Sequence, residues 1–154
     1  MRFAFHVIGI IVQNEQARRG HDGGDAAEQG VAADRAYTHA SLPPKYLFAA
    51  PAQAIPKLLN KIGWTLKDVD LIELNEAFAA QVLADGYALA EQGWDWSKVN
   101  VFGGAIALGH PVGASGARVL VTLLNALRDR GLKRGVASLC LGGGEAVALA
   151  VEME

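Results

Sequence analysis

Where the glycines stand sets the terms for any fold of this chain. Eighteen of its 154 residues are glycine, and they are densest in two places, Gly103 to Gly116 and Gly142 to Gly144. A backbone without Cβ is used where a chain turns tightly or lies close against another group, so both stretches read as loops around which regular elements are hung. Around them the hydrophobic period switches repeatedly. Val69 to Leu74 is a short apolar run with β-branched members and predicts a buried strand. Ala77 to about Gln92 predicts a helix with Phe78, Val82, Leu83, Tyr87 and Ala90 on its apolar face. Val99 to Phe102 predicts another strand, the loop GGAIALGHPVGASG follows, and a helix runs to about Arg130 with Val119, Leu120, Leu123, Leu124 and Leu127 inward. Gly135 to Leu141 and Ala146 to Glu152 read as two strands joined by GGGE in a closing β-hairpin. Strands alternating with helices imply the α/β class, with a layered mixed β-sheet.

Pro43 and Pro44 mark a boundary before this ordered part, because each fixes its own φ and restricts the residue before it. Beyond it, Ala52 to Lys61 carries Ile55, Leu58, Leu59 and Ile62 at i, i+3, i+4, i+7, a helix ending at Gly63 with Pro56 in its first turn. Residues 1–41 form an unassigned N-terminal extension. Arg2 and the apolar run Phe3 to Val12 are too short to span a bilayer. They also lack the small-residue cleavage site of a secretory signal. From Gln13 to Ser41 no period is sustained, which predicts linker or disorder. The ordered domain is therefore expected over 42–154.

Composition narrows the function classes. Fourteen basic and sixteen acidic side chains leave a net charge of −2, so no nucleic-acid-binding surface announces itself, and no membrane partner is expected. The single cysteine, Cys140, cannot close an intrachain disulfide and suits a reducing, cytoplasmic setting. The glycine loop is not a phosphate cradle of the common kinds: Gly109, Gly113 and Gly116 do not make G-x-G-x-x-G, and no Gly-Lys-Ser/Thr follows. Ser115 is expected to cap the helix beginning there, and Arg118 reads as a solvated or salt-bridged surface group.

Chemistry in such a sheet belongs where strands end and loops begin. Three segments place polar side chains there: Asn75-Glu76 after the first strand, Gly109-His110-Pro111 in the glycine loop, and Cys140 near the end of a strand. Taken singly, each has an ordinary use. Asn75 could cap a helix, His110 could be a hydrogen-bonded loop histidine, and Cys140 a small buried hydrophobe.

Together, NEAFA at Asn75 to Ala79, GGAIALGHPVGASGAR at Gly103 to Arg118 and SLCLGGG at Ser138 to Gly144 resemble the C-terminal half of a thiolase, in order and in spacing. The likeness covers about Leu42 to Glu154. It implies a thiolase-like C-terminal domain and an acyltransferase that joins or cleaves acyl-CoA units by Claisen chemistry, with coenzyme A thioesters as substrates and no separate cofactor or metal. Cys140 then matches the acid/base that removes or returns the α-proton, as a thiol can if its surroundings bring its pKa toward working pH. His110 matches the histidine that activates the nucleophilic thiol and donates to the thioester oxygen. Asn75 matches the holder of a water that is the second donor to that oxygen. Gly142 matches the backbone N–H that binds the acyl-enzyme oxyanion. Ketoacyl synthases, similar in fold, carry histidine at the position of Asn75 and no counterpart of Cys140. Glu145 and Ala146 depart from the family where many members carry a further glycine.

The resemblance also implies what these residues lack. The family's nucleophilic cysteine lies in an N-terminal half, and the one cysteine here is already matched to the other role. Covalent catalysis needs both roles filled, so this chain is expected to be inactive alone. The implied readings are a C-terminal subunit of a two-chain thiolase completed by a separate N-terminal half, a truncated product, or a non-catalytic CoA-binding or scaffold module. Homo-oligomers are common in the family, and a bare apolar surface toward the other half would favour self-association.

Overall fold

A computed structural model describes residues 32–154. The apolar run Phe3 to Val12 and the linker reading of residues 13–31 lie outside the described residues. A four-stranded mixed sheet in the order β1-β4-β3-β2 organises the rest. Its strands are β1 (Ala32–Ser41), β2 (Leu71–Leu74), β3 (Arg134–Gly142) and β4 (Glu145–Met153). β2 runs parallel to β3, while β3–β4 and β4–β1 are antiparallel. This is the mixed sheet with a closing hairpin that the period changes imply.

Alternation along each strand sorts side chains between two cores. Ile72, Leu74, Val136, Ala146, Ala148 and Ala150 face one side, where they meet Ala54, Ile55, Leu58 and Leu59 of helix α1 (Pro51–Ile62). Leu71, Ala137, Leu139, Val147, Leu149 and Val151 face the other, under Val119, Leu120, Leu123 and Leu127 of helix α3 (Ser115–Arg130). Helix α2 (Ala79–Leu89) lies against α1. The helices thus cover both faces of one sheet.

Several expectations are corrected. Ala32–Ser41 is an edge strand rather than linker. Its buried positions, Thr38 and Ala40, are small because α1 packs directly on them, and the Thr38 hydroxyl donates to the Ala54 carbonyl at 3.1 Å. A period of two built from Ala and Thr carries almost no hydropathy signal. Val99 to Phe102 is not a strand. Only Val99 bridges to Ile72, and Asn100 turns the chain away in a left-handed conformation, φ 48°. Pro56 stands well inside α1, because Pro51 occupies the start of the helix. There it removes the N–H that would have bonded the Ala52 carbonyl.

The face of α2 is corrected most. Of its predicted apolar face only Val82 is buried, while Phe78 is 60%, Leu83 47% and Tyr87 72% exposed. The buried face is instead Gln81, Val82, Asp85, Gly86 and Leu89. Polar groups are tolerated there because they satisfy one another. Gln81 Nε2 donates to Asp85 Oδ2 at 2.7 Å, and the Ala52 N–H at the start of α1 donates to Asp85 Oδ1 at 3.2 Å. Asp85 therefore caps a helix that has no capping side chain of its own.

Candidate active site

The parallel pair β2 and β3 ends at one edge of the sheet, and the polar motifs collect there. Leu74 pairs with Ser138, and the Asn75 N–H donates to the Ser138 carbonyl at 2.9 Å. Asn75 thus lies one strand over from Cys140, at the same end. Asn100 extends the open edge of β2: its side chain accepts from the Leu74 N–H at 2.9 Å and donates to the Leu74 carbonyl at 2.8 Å. It also donates to Glu76 Oε1 at 2.9 Å, while the Ile106 N–H donates to Glu76 Oε2 at 2.9 Å. Glu76 thereby anchors the glycine loop to the end of β2. The fit is close at Gly104, where a Cβ would collide with the Glu76 carboxylate.

That anchoring brings His110 to Asn75. Asn75 is fully buried, and its Nδ2 faces His110 Nε2 at 3.4 Å, the long end of hydrogen bonding. The other ring nitrogen, Nδ1, lies 2.6 Å from Ser115 Oγ, and that hydroxyl donates to the Pro111 carbonyl at 3.1 Å. A hydroxyl has one proton to give. If it goes to Pro111, Nδ1 carries the imidazole proton and Nε2 presents a lone pair. His110 itself is exposed, so this imidazole is open to an incoming group. Ser115 is not the helix cap that was expected; Ala114 holds that position, and Ser115 serves the histidine.

Beneath Asn75 lies a buried ion pair with no place in the sequence reading. Arg118 Nη1 is 3.2 Å from Glu73 Oε2, with side-chain exposures of 20% and 2%, and Arg118 Nη2 donates to Asn75 Oδ1 at 3.4 Å. Arg118 is salt-bridged as one reading allowed, but it points into the protein. Burial pushes the Glu73 carboxyl up to about 7, against the pull of Arg118. Glu73 Oε1 and Arg118 Nε have no hydrogen-bond partner. The signal for this pair was an acid at an inward position of a buried strand, hidden inside the apolar run Val69 to Leu74.

Cys140 is a free, partly buried thiol on β3. The pairing of β3 with β4 shifts register between it and Gly142, an irregularity of the kind that re-aims side chains beside functional sites. Its environment does not by itself bring its pKa toward working pH. Burial pushes the thiol up and the nearby Asp85 carboxylate adds to the effect, while the backbone N–H groups of Cys140 and Gly142 oppose it. The fold therefore joins Asn75 to His110 directly and sets Cys140 and Gly142 on the adjoining strand. Among the described residues no cluster of His, Cys, Asp and Glu could hold a metal ion, and no helix is long and apolar enough to cross a membrane.

Comparison with known proteins places this architecture. The family model described as "Thiolase, C-terminal domain" matches residues 29–153. An acetyl-CoA acetyltransferase of Cupriavidus necator is 53% identical over 122 residues, which is 79% of this chain and 30% of that protein. One of Allochromatium vinosum is 56% identical over 117 residues, 76% of this chain and 29% of that protein. The crystal structure of the Bacillus anthracis acetyl-CoA acetyltransferase superposes with a TM-score of 0.76 at 43% identity, covering 92% of this chain and 33% of that one. The human mitochondrial 3-ketoacyl-CoA thiolase gives 0.74 at 44% identity, covering 80% and 30%. The chain thus spans about a third or less of each relative. With a buried amide, an imidazole and a thiol collected at one sheet edge, and with these matches across most of its length, the chain belongs to the thiolase family, as its C-terminal domain.

Proposed function

We propose that this chain supplies the acid/base and oxyanion-binding half of a thiolase-type acyltransferase acting on acetyl-CoA or a related acyl-CoA thioester. The observation that carries the reading is the Asn75–His110 contact at 3.4 Å, whose polarity is assigned from the hydrogen bonds on either side of it. An imidazole with its proton on Nδ1 and a lone pair on Nε2 can accept the proton of a nucleophilic thiol through Nε2, then donate that proton to the oxygen of a bound thioester. Asn75 supports a second donor to the same oxygen by holding a water with its amide. Preorganised donors of this kind contribute several kcal/mol to the stability of a developing enolate. Cys140 takes the proton from the α-carbon in the condensing direction and returns it in the cleaving direction. The Gly142 N–H serves the oxygen of the acyl group while that group is carried on the nucleophile.

The 154 residues contain one cysteine, and this scheme uses it as the base. The acyl-accepting thiol therefore comes from outside these residues, from an N-terminal half. The test is thiolysis of acetoacetyl-CoA by free CoA, followed as acetyl-CoA formed. The chain alone is expected to give no turnover. Mixed with the N-terminal half of a bacterial relative, it is expected to turn over, and Cys140→Ser is expected to abolish that activity. Steady turnover by the chain alone would overturn the assignment of Cys140 as base only. A reconstituted activity indifferent to Cys140→Ser would overturn the role itself.

A further inference from the structure

We infer that Arg118, braced by Glu73, is a positioning residue: it sets which way the Asn75 amide points, and through that amide which ring nitrogen of His110 carries the proton. The argument is one of donor and acceptor order. An asparagine amide has two orientations related by a flip, equal in shape and opposite in polarity. A guanidinium can only donate, so the end of the amide that faces Arg118 Nη2 at 3.4 Å must be oxygen. The flipped orientation would set N–H against N–H at an amide that is fully buried. The amide nitrogen is thereby committed to the imidazole, 3.4 Å away. A donor facing Nε2 requires a lone pair there, so the proton resides on Nδ1, opposite Ser115 Oγ at 2.6 Å. The Ser115 hydroxyl passes the same sense of donation to the Pro111 carbonyl at 3.1 Å. From Arg118 to Pro111 every bond donates in one direction, and the cation is the end that cannot be reversed.

Glu73 explains why Arg118 points inward. Its Oε2 accepts from Nη1 at 3.2 Å, and with side chains 2% and 20% exposed the pair is costly to bury. Buried ion pairs are weak stabilisers and are often replaceable by apolar residues of similar volume. Two polar atoms of this pair also go without partners. Its use is better accounted for by orientation than by stability.

The inference rests on the proposed function only for its purpose, since a bare Nε2 is what accepts the nucleophile's proton; its test needs no substrate. Long-range ¹H–¹⁵N NMR of the labelled chain at mildly alkaline pH reports the tautomer of each of the four histidines, with His110→Asn assigning the relevant signals. Wild type is expected to show His110 in the Nδ1–H form. In the double variant Arg118→Met with Glu73→Gln, which leaves no unpaired buried charge, the Nδ1–H share is expected to fall to a minority, the Nε2–H form being the one favoured by free imidazole side chains. Arg118→Lys, which still donates to Asn75 Oδ1, is expected to restore most of it. A wild-type His110 in the Nε2–H form overturns the inference outright. So does a folded double variant that keeps the wild-type tautomer. If the tautomer responds as expected while reconstituted thiolysis fails, the positioning stands and the proposed reaction falls.

Discussion

Glu73 and Asp85 are carboxyls taken out of water by the fold, and they make the chain's stability depend on pH in an unusual direction. Burial raises Glu73 to about 7 and Asp85 to about 6, in each case outweighing the hydrogen bonds and charges that favour ionisation. Each group thus binds its proton more tightly folded than unfolded. Stability is greatest below the unfolded carboxylate range near pH 4 and is lost as pH rises, through about 6 for Asp85 and about 7 for Glu73. Glu73→Gln is expected to lie within about 1 kcal/mol of wild type in urea unfolding at pH 5 and to exceed it at pH 8 by about 3 kcal/mol, the linkage equivalent of its raised pKa. An equal loss at both pH values would show that the Arg118 ion pair, not desolvation, dominates there. Asp85 also acts on Cys140, since its charge helps push the thiol up. In Asp85→Asn the pH midpoint of Cys140 alkylation by iodoacetamide is expected to move down, and a midpoint unchanged or raised would remove Asp85 from the thiol's environment. Neither carboxyl was singled out from the sequence. Each sits at a helical or strand position among apolar residues, and a partner that orients it lies far along the chain, Ala52 for Asp85 at 33 residues and Arg118 for Glu73 at 45.

At the scale of elements, the turn between β3 and β4 was legible because its three glycines carry the meaning directly. Gly142, Gly143 and Gly144 all have positive φ, at 84°, 64° and 93°, a region open to glycine at little cost. Gly144 carries a second demand. Its carbonyl accepts from the Leu42 N–H at 2.7 Å, and a Cβ there would collide with the Leu42 carbonyl. Gly143 has open space around it. Gly143→Ala is therefore expected to cost about 1 kcal/mol, the ordinary penalty for a left-handed alanine. Gly144→Ala should cost clearly more, roughly 2–4 kcal/mol, because backbone must shift as well. Equal costs in urea unfolding would refute the close approach of Leu42. α2 was less legible than the turn. Its apolar residues were counted inward by period, yet Gln81 and Asp85 take the buried face because α1 offers an unpaired N–H at its start, and the side chain that answers it must be polar.

The whole molecule shows the consequence of that reversal. Phe78, Leu83 and Tyr87 on α2, with Ile106, Leu108 and Val112 in the glycine loop, leave large apolar side chains 47–80% exposed. Phe48 packs edge-on against Phe78. Its relatives are about three times as long as the matched region, and exposed apolar side chains of this size favour association. The purified chain is accordingly expected to self-associate in light scattering as concentration rises, and adding a complementary N-terminal half is expected to suppress this. A monodisperse monomer at high concentration would contradict the expectation. Replacing Phe78 and Tyr87 by polar residues should lower association without loss of helix content, since both lie on the outer side of α2.

Local order and composition were enough to determine the class of fold, the hairpin, the sheet-facing stripe of α3 and the identity of the polar motifs at the ends of strands. Those features depend on periods and on glycine, which act within a few residues of where they are written. The tertiary structure alone decided that Ala32–Ser41 is a strand, that Asn75 meets His110, and that Glu73 and Arg118 stand behind them. Burial and electrostatic partnership are properties of neighbours in space, and the chain brings those neighbours together only when the sheet has formed.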